Sequence, residues 1–169
     1  MISNFVKLAA VAVFIGNAAF AGQPKPVVLE PITHAKASLV IVDTEQNEIT
    51  YTPAELEKFE TFTLTTTTPW RDEPTEFEGV LLSDILAAHG LDEASNILVT
   101  AENDYSTTFS RELLENVQIL VATRVDGKAH NRRNRGPIQF VIDAETYTNS
   151  TLTSESNFVW MAARIEVGK

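Results

Sequence analysis

The sequence predicts an α+β domain built on a mixed, mainly antiparallel sheet of about seven strands, with about three short helices set between them. Three observations carry that expectation. Threonine- and phenylalanine-rich stretches, residues 60–67 above all, alternate at the period of a strand with one buried face. Helix start signals occur, but the patterns they open are short and are separated by strand-like runs. No glycine-rich phosphate loop opens any of them, which sets the chain apart from doubly wound parallel sheets.

Residues 1–7 are a short, weakly basic start, residues 8–15 an apolar run, and Ala19-Phe20-Ala21 the small-x-small pattern read by signal peptidase. The expectation is a signal peptide over residues 1–21, cleaved after Ala21, because the apolar stretch falls short of the ~20 residues a spanning helix needs. Pro24, Pro26 and Pro31 make residues 22–38 an extended lead-in rather than a strand. Residues 39–169 then read as one domain. Residues 39–42 form a short apolar strand, residues 43–47 turn the chain, and residues 48–51 pair back as a hairpin. Thr52-Pro53-Ala54-Glu55 is a capping box with proline at the first helical position, opening a helix that runs to about Phe59.

Pro69 ends the alternating strand, since it has no N–H for the ladder. Trp70 and Arg71 follow on a loop, with Asp72, Glu73 and Pro74 as turn residues. Leu82, Ile85, Leu86 and His89 make a helical stripe that Gly90 closes. Residues 96–101 are a buried strand ending at Asn103-Asp104-Tyr105, and Ser110 caps a third short helix over residues 111–115. Residues 118–125 and 138–142 are strands, with a hairpin-type turn at Asp126-Gly127. Residues 158–167 close the domain, and Trp160, inside an apolar run, is expected in the core.

A formal charge of −10 argues against nucleic acid and against an anionic membrane surface, both of which attract basic patches. The absence of cysteine removes disulfides, a thiolate nucleophile and thiolate metal ligands. With 44% hydrophobic residues, the domain is held by an ordinary packed core. His34, His89 and His130 are scattered, without ligand spacing, which argues against a metal site, and His89, on a helix stripe, reads as a core or helix-end residue. No G-x-S-x-G elbow supplies a serine nucleophile.

Within this acidic chain, Arg124, Lys128, Arg132, Arg133 and Arg135 cluster. Arginine offers a planar fork of donors, so the cluster suits an anionic or acceptor-rich ligand. The alternative is a solvated loop balancing nearby acids. Gly136-Pro137 fixes a tight turn that holds Arg135 at a strand mouth. Trp70 and Tyr105 lie at strand ends beside polar residues rather than inside apolar runs, although large aromatics also serve as packing. The candidate pocket is therefore Trp70, Arg71, Asn103, Asp104, Tyr105, Arg132, Arg135 and Gly136. Aromatic faces with amide, carboxylate and guanidinium groups suit a flat heteroaromatic with a donor–acceptor edge.

These same residues carry a resemblance. Phe77-x-Gly79-Val80-Leu81-Leu82-x-Asp84-Ile85-Leu86 with Gly90, then Ala101-x-Asn103-Asp104-Tyr105, Asp126-Gly127-Lys128, Arg135-Gly136-Pro137 and a closing Trp160…Ile165-x-Val167 resemble the molybdopterin-binding domain of the sulfite oxidase superfamily. The enzymes of that family hold molybdenum through a cysteine thiolate upstream of the G-V-x-L segment. Here the matching region, residues 65–67, is threonine, and a hydroxyl does not replace a soft thiolate. Thr66-Thr67-Thr68-Pro69-Trp70 before Phe77-x-Gly79-Val80 is similar to small, cysteine-free periplasmic pterin-binding regulators, the PruR-like group.

That resemblance implies a periplasmic, non-catalytic protein that binds a neopterin- or monapterin-like pterin without metal. It would report to the periplasmic domain of an inner-membrane cyclic-di-GMP enzyme, a diguanylate cyclase or phosphodiesterase. Neither nucleic acid nor direct membrane insertion is expected. In this reading Trp70 and Tyr105 wall in the ring, Asp104 or Asn103 pairs with its amino–imino edge, and Arg135 and Arg71 meet its oxo group or hydroxyls. The rival readings are a molybdenum-cofactor-dependent oxidoreductase and a ligand-free interaction module on the same fold.

Overall fold

The computed structural model describes residues 22–168, so the expected signal peptide at residues 1–21 lies outside the described residues. The architecture is α+β, with mostly antiparallel sheets and short helices. One sheet runs in the order β1 (Lys25–Pro26), β4 (Thr61–Thr68), β5 (Arg71–Leu81), β8 (Leu120–Val125) and β10 (Gln139–Val141), with β9 (Lys128–Ala129) pairing β8. The other runs β3 (Glu48–Tyr51), β2 (Leu39–Val42), β11 (Ala162–Val167), β6 (Asn96–Ala101) and β7 (Ser106–Ser110). Every strand pairing is antiparallel except β2 with β11.

The strands fall into two sheets rather than the single one expected. A sheet with an apolar face must bury it against a second layer. Ile41, Ile97, Val99 and Ile165 of one sheet join Leu64, Val80, Val121 and Phe140 of the other in a shared core. Gly79 lies where β5 approaches β8 most closely: a Cβ there would collide with the Val121 carbonyl oxygen. The ladder shifts register between Glu78 and Gly79 at the same place.

The segment after β4 differs from its expected form. Thr68 pairs with Arg71, so Pro69 and Trp70 are the two residues of a tight hairpin turn. Asp72, Glu73 and Pro74 are strand residues of β5, not loop residues. Proline pre-sets the backbone for the first turn position, which folds the chain back at once. Pro74 is tolerated because β5 pairs with β8 only from Phe77 onward, leaving that flank open beside it.

The helices are α1 (Pro53–Leu56), α2 (Leu82–Ala88), α3 (Arg111–Asn116) and α4 (Ala144–Asn149). The Thr52–Glu55 capping box is formed, with the Thr52 N–H donating to the Glu55 carboxylate at 2.8 Å. Beyond Leu56 the chain continues as a turn, so α1 stops short of Phe59. Ser110 caps α3 through the Leu113 N–H. The strand β7 and the helix α4 have no counterpart in the sequence reading. The lead-in also contains a short strand, because Lys25 and Pro26 pair with Thr63 and Phe62. Among the described residues no helix is long and apolar enough to cross a membrane.

Candidate functional site

Two hairpin turns and one irregular segment meet at a surface pocket of about 280 Å³. The β4–β5 turn supplies Trp70, and the turn between β6 and β7 supplies Asn103 and Tyr105. A 3-10 turn at Glu155–Asn157 and the chain after it supply Glu155, Ser156, Phe158 and Trp160, and Ala101 completes the lining. Phe158 is the floor. It is buried, and its ring meets Trp70 edge-on at 6.3 Å and Tyr147 at 5.0 Å. Tyr105 and Trp160 form the rim, 46% and 37% exposed. Arg135 is not itself a lining residue, but its guanidinium stacks on Trp70, with Cζ 4.6 Å from the ring centroid.

Backbone geometry holds these pieces in register. Asp104, Arg135 and Met161 all have left-handed φ, at 64°, 74° and 54°. Such a conformation costs a non-glycine residue about 1–3 kcal/mol and persists only where the surroundings enforce it. Here main-chain bonds do so. The Met161 N–H donates to the Arg135 carbonyl at 3.2 Å, the Glu102 N–H to the Met161 carbonyl at 2.8 Å, and the Asp104 N–H to the Ala101 carbonyl at 3.1 Å. The three strained residues thus tie the Arg135 turn, the closing segment and the β6–β7 turn into one frame.

The structure brings together only part of the predicted set. Trp70, Asn103 and Tyr105 line the pocket, and Arg135 stacks against it. Arg71 instead donates to the Thr75 hydroxyl at 3.1 Å along its own strand. Asp104 is an exposed turn residue that accepts the left-handed conformation, which aspartate tolerates better than most. Arg132 forms a forked ion pair with Glu102, at 2.7 and 3.0 Å, and donates to the Lys36 carbonyl. Gly136 is buried behind the pocket, where a Cβ would come within 2.5 Å of the His130 ring.

The basic cluster does not act as a unit. Arg124 is buried and grips Glu57 through one edge of its guanidinium, Nη2 and Nε donating to the two carboxylate oxygens at 2.6 and 2.9 Å. The Thr123 hydroxyl and His34 also reach Glu57, at 2.6 and 3.1 Å. Burial pushes the Glu57 carboxyl up, but its hydrogen bonds with Arg124, Thr123 and His34 outweigh it and hold the group below the ordinary value. Lys128 and Arg133 are exposed.

Buried His130 shares a 2.8 Å hydrogen bond between Nε2 and the Gln139 amide oxygen, and burial lowers its pKa. Its Nδ1 has no partner. The ring is therefore neutral, with the proton on Nε2.

Trp160, expected in the core, stands on the rim instead. Met161 adopts its left-handed conformation immediately after it and breaks the strand alternation, so the indole emerges while Val159 and Ala162 stay buried. Glu155 and Ser156 escaped the sequence reading because nothing apolar or basic marks them. The only available signal was Ser154 with Asn157, a helix-start pattern.

A larger groove of about 560 Å³ runs beside β4, along residues 63–67 and 143–145, without an aromatic wall. It contains Thr65, Thr66 and Thr67. The Thr66 hydroxyl accepts from the Ala144 N–H at 2.8 Å and donates to the Thr67 carbonyl at 3.2 Å. With its hydroxyl committed to main chain, Thr66 does not offer the soft thiolate that would hold molybdenum.

No protein-family model matches the chain, and no curated protein matches it. What fold and site define is an α+β domain of two sheets with an aromatic-walled pocket at their junction.

Proposed function

We propose that this is a periplasmic, metal-free pterin-binding protein, non-catalytic, which reports a neopterin- or monapterin-like ligand to the periplasmic domain of an inner-membrane cyclic-di-GMP enzyme. One observation carries the binding half: an aromatic pocket with Trp70, Tyr105 and Trp160 around it and the Arg135 guanidinium stacked on Trp70. Flat heteroaromatic rings gain most from such walls, and a few polar groups suffice to orient them. The volume of about 280 Å³ lies just below the ~300–1,000 Å³ usual for ligand pockets, which suits a small bicyclic ring rather than a larger ligand. The signalling half rests on the sequence resemblance and on the signal-peptide pattern.

A pterin present at 100 times its Kd should stabilise the fold by about 2.7 kcal/mol, read as a rise in melting temperature without added metal. Trp70→Ala should abolish that rise. If the melting curve stays still across oxidised and reduced pterins, the binding reading fails. The exposure of Tyr105 and Trp160 would then favour the interaction module, since exposed aromatics are common at protein interfaces.

A further inference from the structure

The amino–imino edge of a pterin presents two adjacent donors, the 2-amino group and N3–H, and calls for an acceptor pair in the pocket wall. The acidic groups of the two turns are otherwise placed. Glu102 is committed to Arg132, and Asp104 is a turn residue outside the lining. The Asn103 side-chain oxygen accepts from the Tyr105 N–H at 3.3 Å. Glu155 is different. It lines the pocket, and among the described residues its carboxylate joins no ion pair.

Its side chain is exposed, and the backbone that carries it is fixed. The Ser154 N–H donates to the Asn157 side-chain oxygen at 2.7 Å, and the Phe158 N–H donates to the Glu155 carbonyl at 3.1 Å. Asn157 and Phe158 are both buried, so the turn that carries Glu155 is anchored in the core.

We infer that Glu155 is the specificity-determining residue of the pocket, its carboxylate accepting both donors of a 2-amino-4-oxo ring. This rests on the pterin reading above and replaces Asp104 in that role. A carboxylate accepts two hydrogen bonds side by side, which a 2-amino-4-oxo edge satisfies. A 2,4-dioxo edge offers one donor and one acceptor, and its oxygen would face the carboxylate unpaired. A glutamine side chain has the opposite preference, because its amide offers one acceptor and one donor.

The test is calorimetric titration of 6-hydroxymethylpterin and 6-hydroxymethyllumazine, which differ only in the 2-substituent. The proteins are the unaltered chain, Glu155→Gln and Asp104→Asn. The unaltered chain should prefer the pterin by about tenfold or more, the scale of a charge-assisted hydrogen bond. Glu155→Gln should lose that preference and bind the lumazine better than the unaltered chain does, while Asp104→Asn should behave as the unaltered chain. Equal pterin affinity in the unaltered chain and Glu155→Gln overturns the assignment and leaves the pterin reading standing. Loss of the preference in Asp104→Asn instead of Glu155→Gln returns the role to Asp104. If neither ring binds the unaltered chain, the pterin reading itself falls.

Discussion

Arg124 and Arg135 come from the same basic stretch, yet one is buried in an ion pair and the other stacks on an aromatic ring of the pocket. Arg124 is 3% exposed and forked onto Glu57, with its outer nitrogen also donating to the Glu30 carbonyl at 2.9 Å. It pins the lead-in to the sheet. Arg135 takes part in none of the ion pairs among the described residues and lies over Trp70 at the pocket. The difference teaches how to read charge in a sequence. A strand interior such as β8 forces its arginine to find a carboxylate, whereas a left-handed turn leaves the guanidinium at a site.

Removing one end of the buried pair should give the largest effect. Glu57→Ala leaves Arg124 buried without its partner and should cost about 3–5 kcal/mol in urea unfolding. A loss below about 1 kcal/mol would mean that the pair is effectively solvated.

Acid attacks the same framework without mutation. His130 has a lowered pKa, so the unfolded chain takes up its proton first as pH falls below the ordinary value of about 6.5. Its contribution to stability is present above that pH and is lost below it. The Glu57 carboxyl is held low, so its contribution is complete above about 4.5 and disappears as pH falls through the lower folded value. Urea midpoints should therefore decline below about pH 6.5 and again below about pH 4.5. A flat profile between pH 7 and about pH 5 would contradict the His130 assignment, and one that stays flat from there to about pH 3 would contradict that of Glu57.

The smallest stability effect belongs to Arg135. A partly exposed cation–π contact contributes about 0.5–1 kcal/mol, so Arg135→Ala should barely move the urea midpoint while weakening ligand binding. Arg135→Gly sharpens the contrast, because glycine also relieves the left-handed backbone at φ 74°. It should unfold at a higher urea concentration than Arg135→Ala, with the same binding defect. If Arg135→Ala costs as much stability as Glu57→Ala, the distinction between the two arginines collapses.

Much of the fold was legible because the relevant signals are local. The Thr52–Glu55 capping box, the α2 stripe and the Asp126-Gly127 turn each depend on a few adjacent side chains. The misses have a common cause. In β7 only Phe109 is buried, and α4 has no buried residue, so neither writes an apolar pattern into the sequence. Asp143 ahead of Ala144 and Glu145 was a readable helix start for α4, since its carboxylate caps Glu145 and Thr146.

At the site, Trp70, Asn103 and Tyr105 were legible because each stands where a strand ends, whereas Arg135, expected at a strand mouth, closes a 3-10 turn four residues ahead of β10. Arg71, Asp104, Arg132 and Gly136 were adjacent in sequence to those positions, but hairpin register and local pairing turn them to other duties. Trp160 depends on the Met161 turn, which the long-range bond to the Arg135 carbonyl holds, and Glu155 sits on a 3-10 turn that carries no apolar pattern.

Calorimetric titration of neopterin into the metal-free protein is the most direct test of the proposed pterin binding. The account predicts saturable one-to-one binding, lost in Trp70→Ala. Absence of binding across both oxidised and reduced pterins would contradict it.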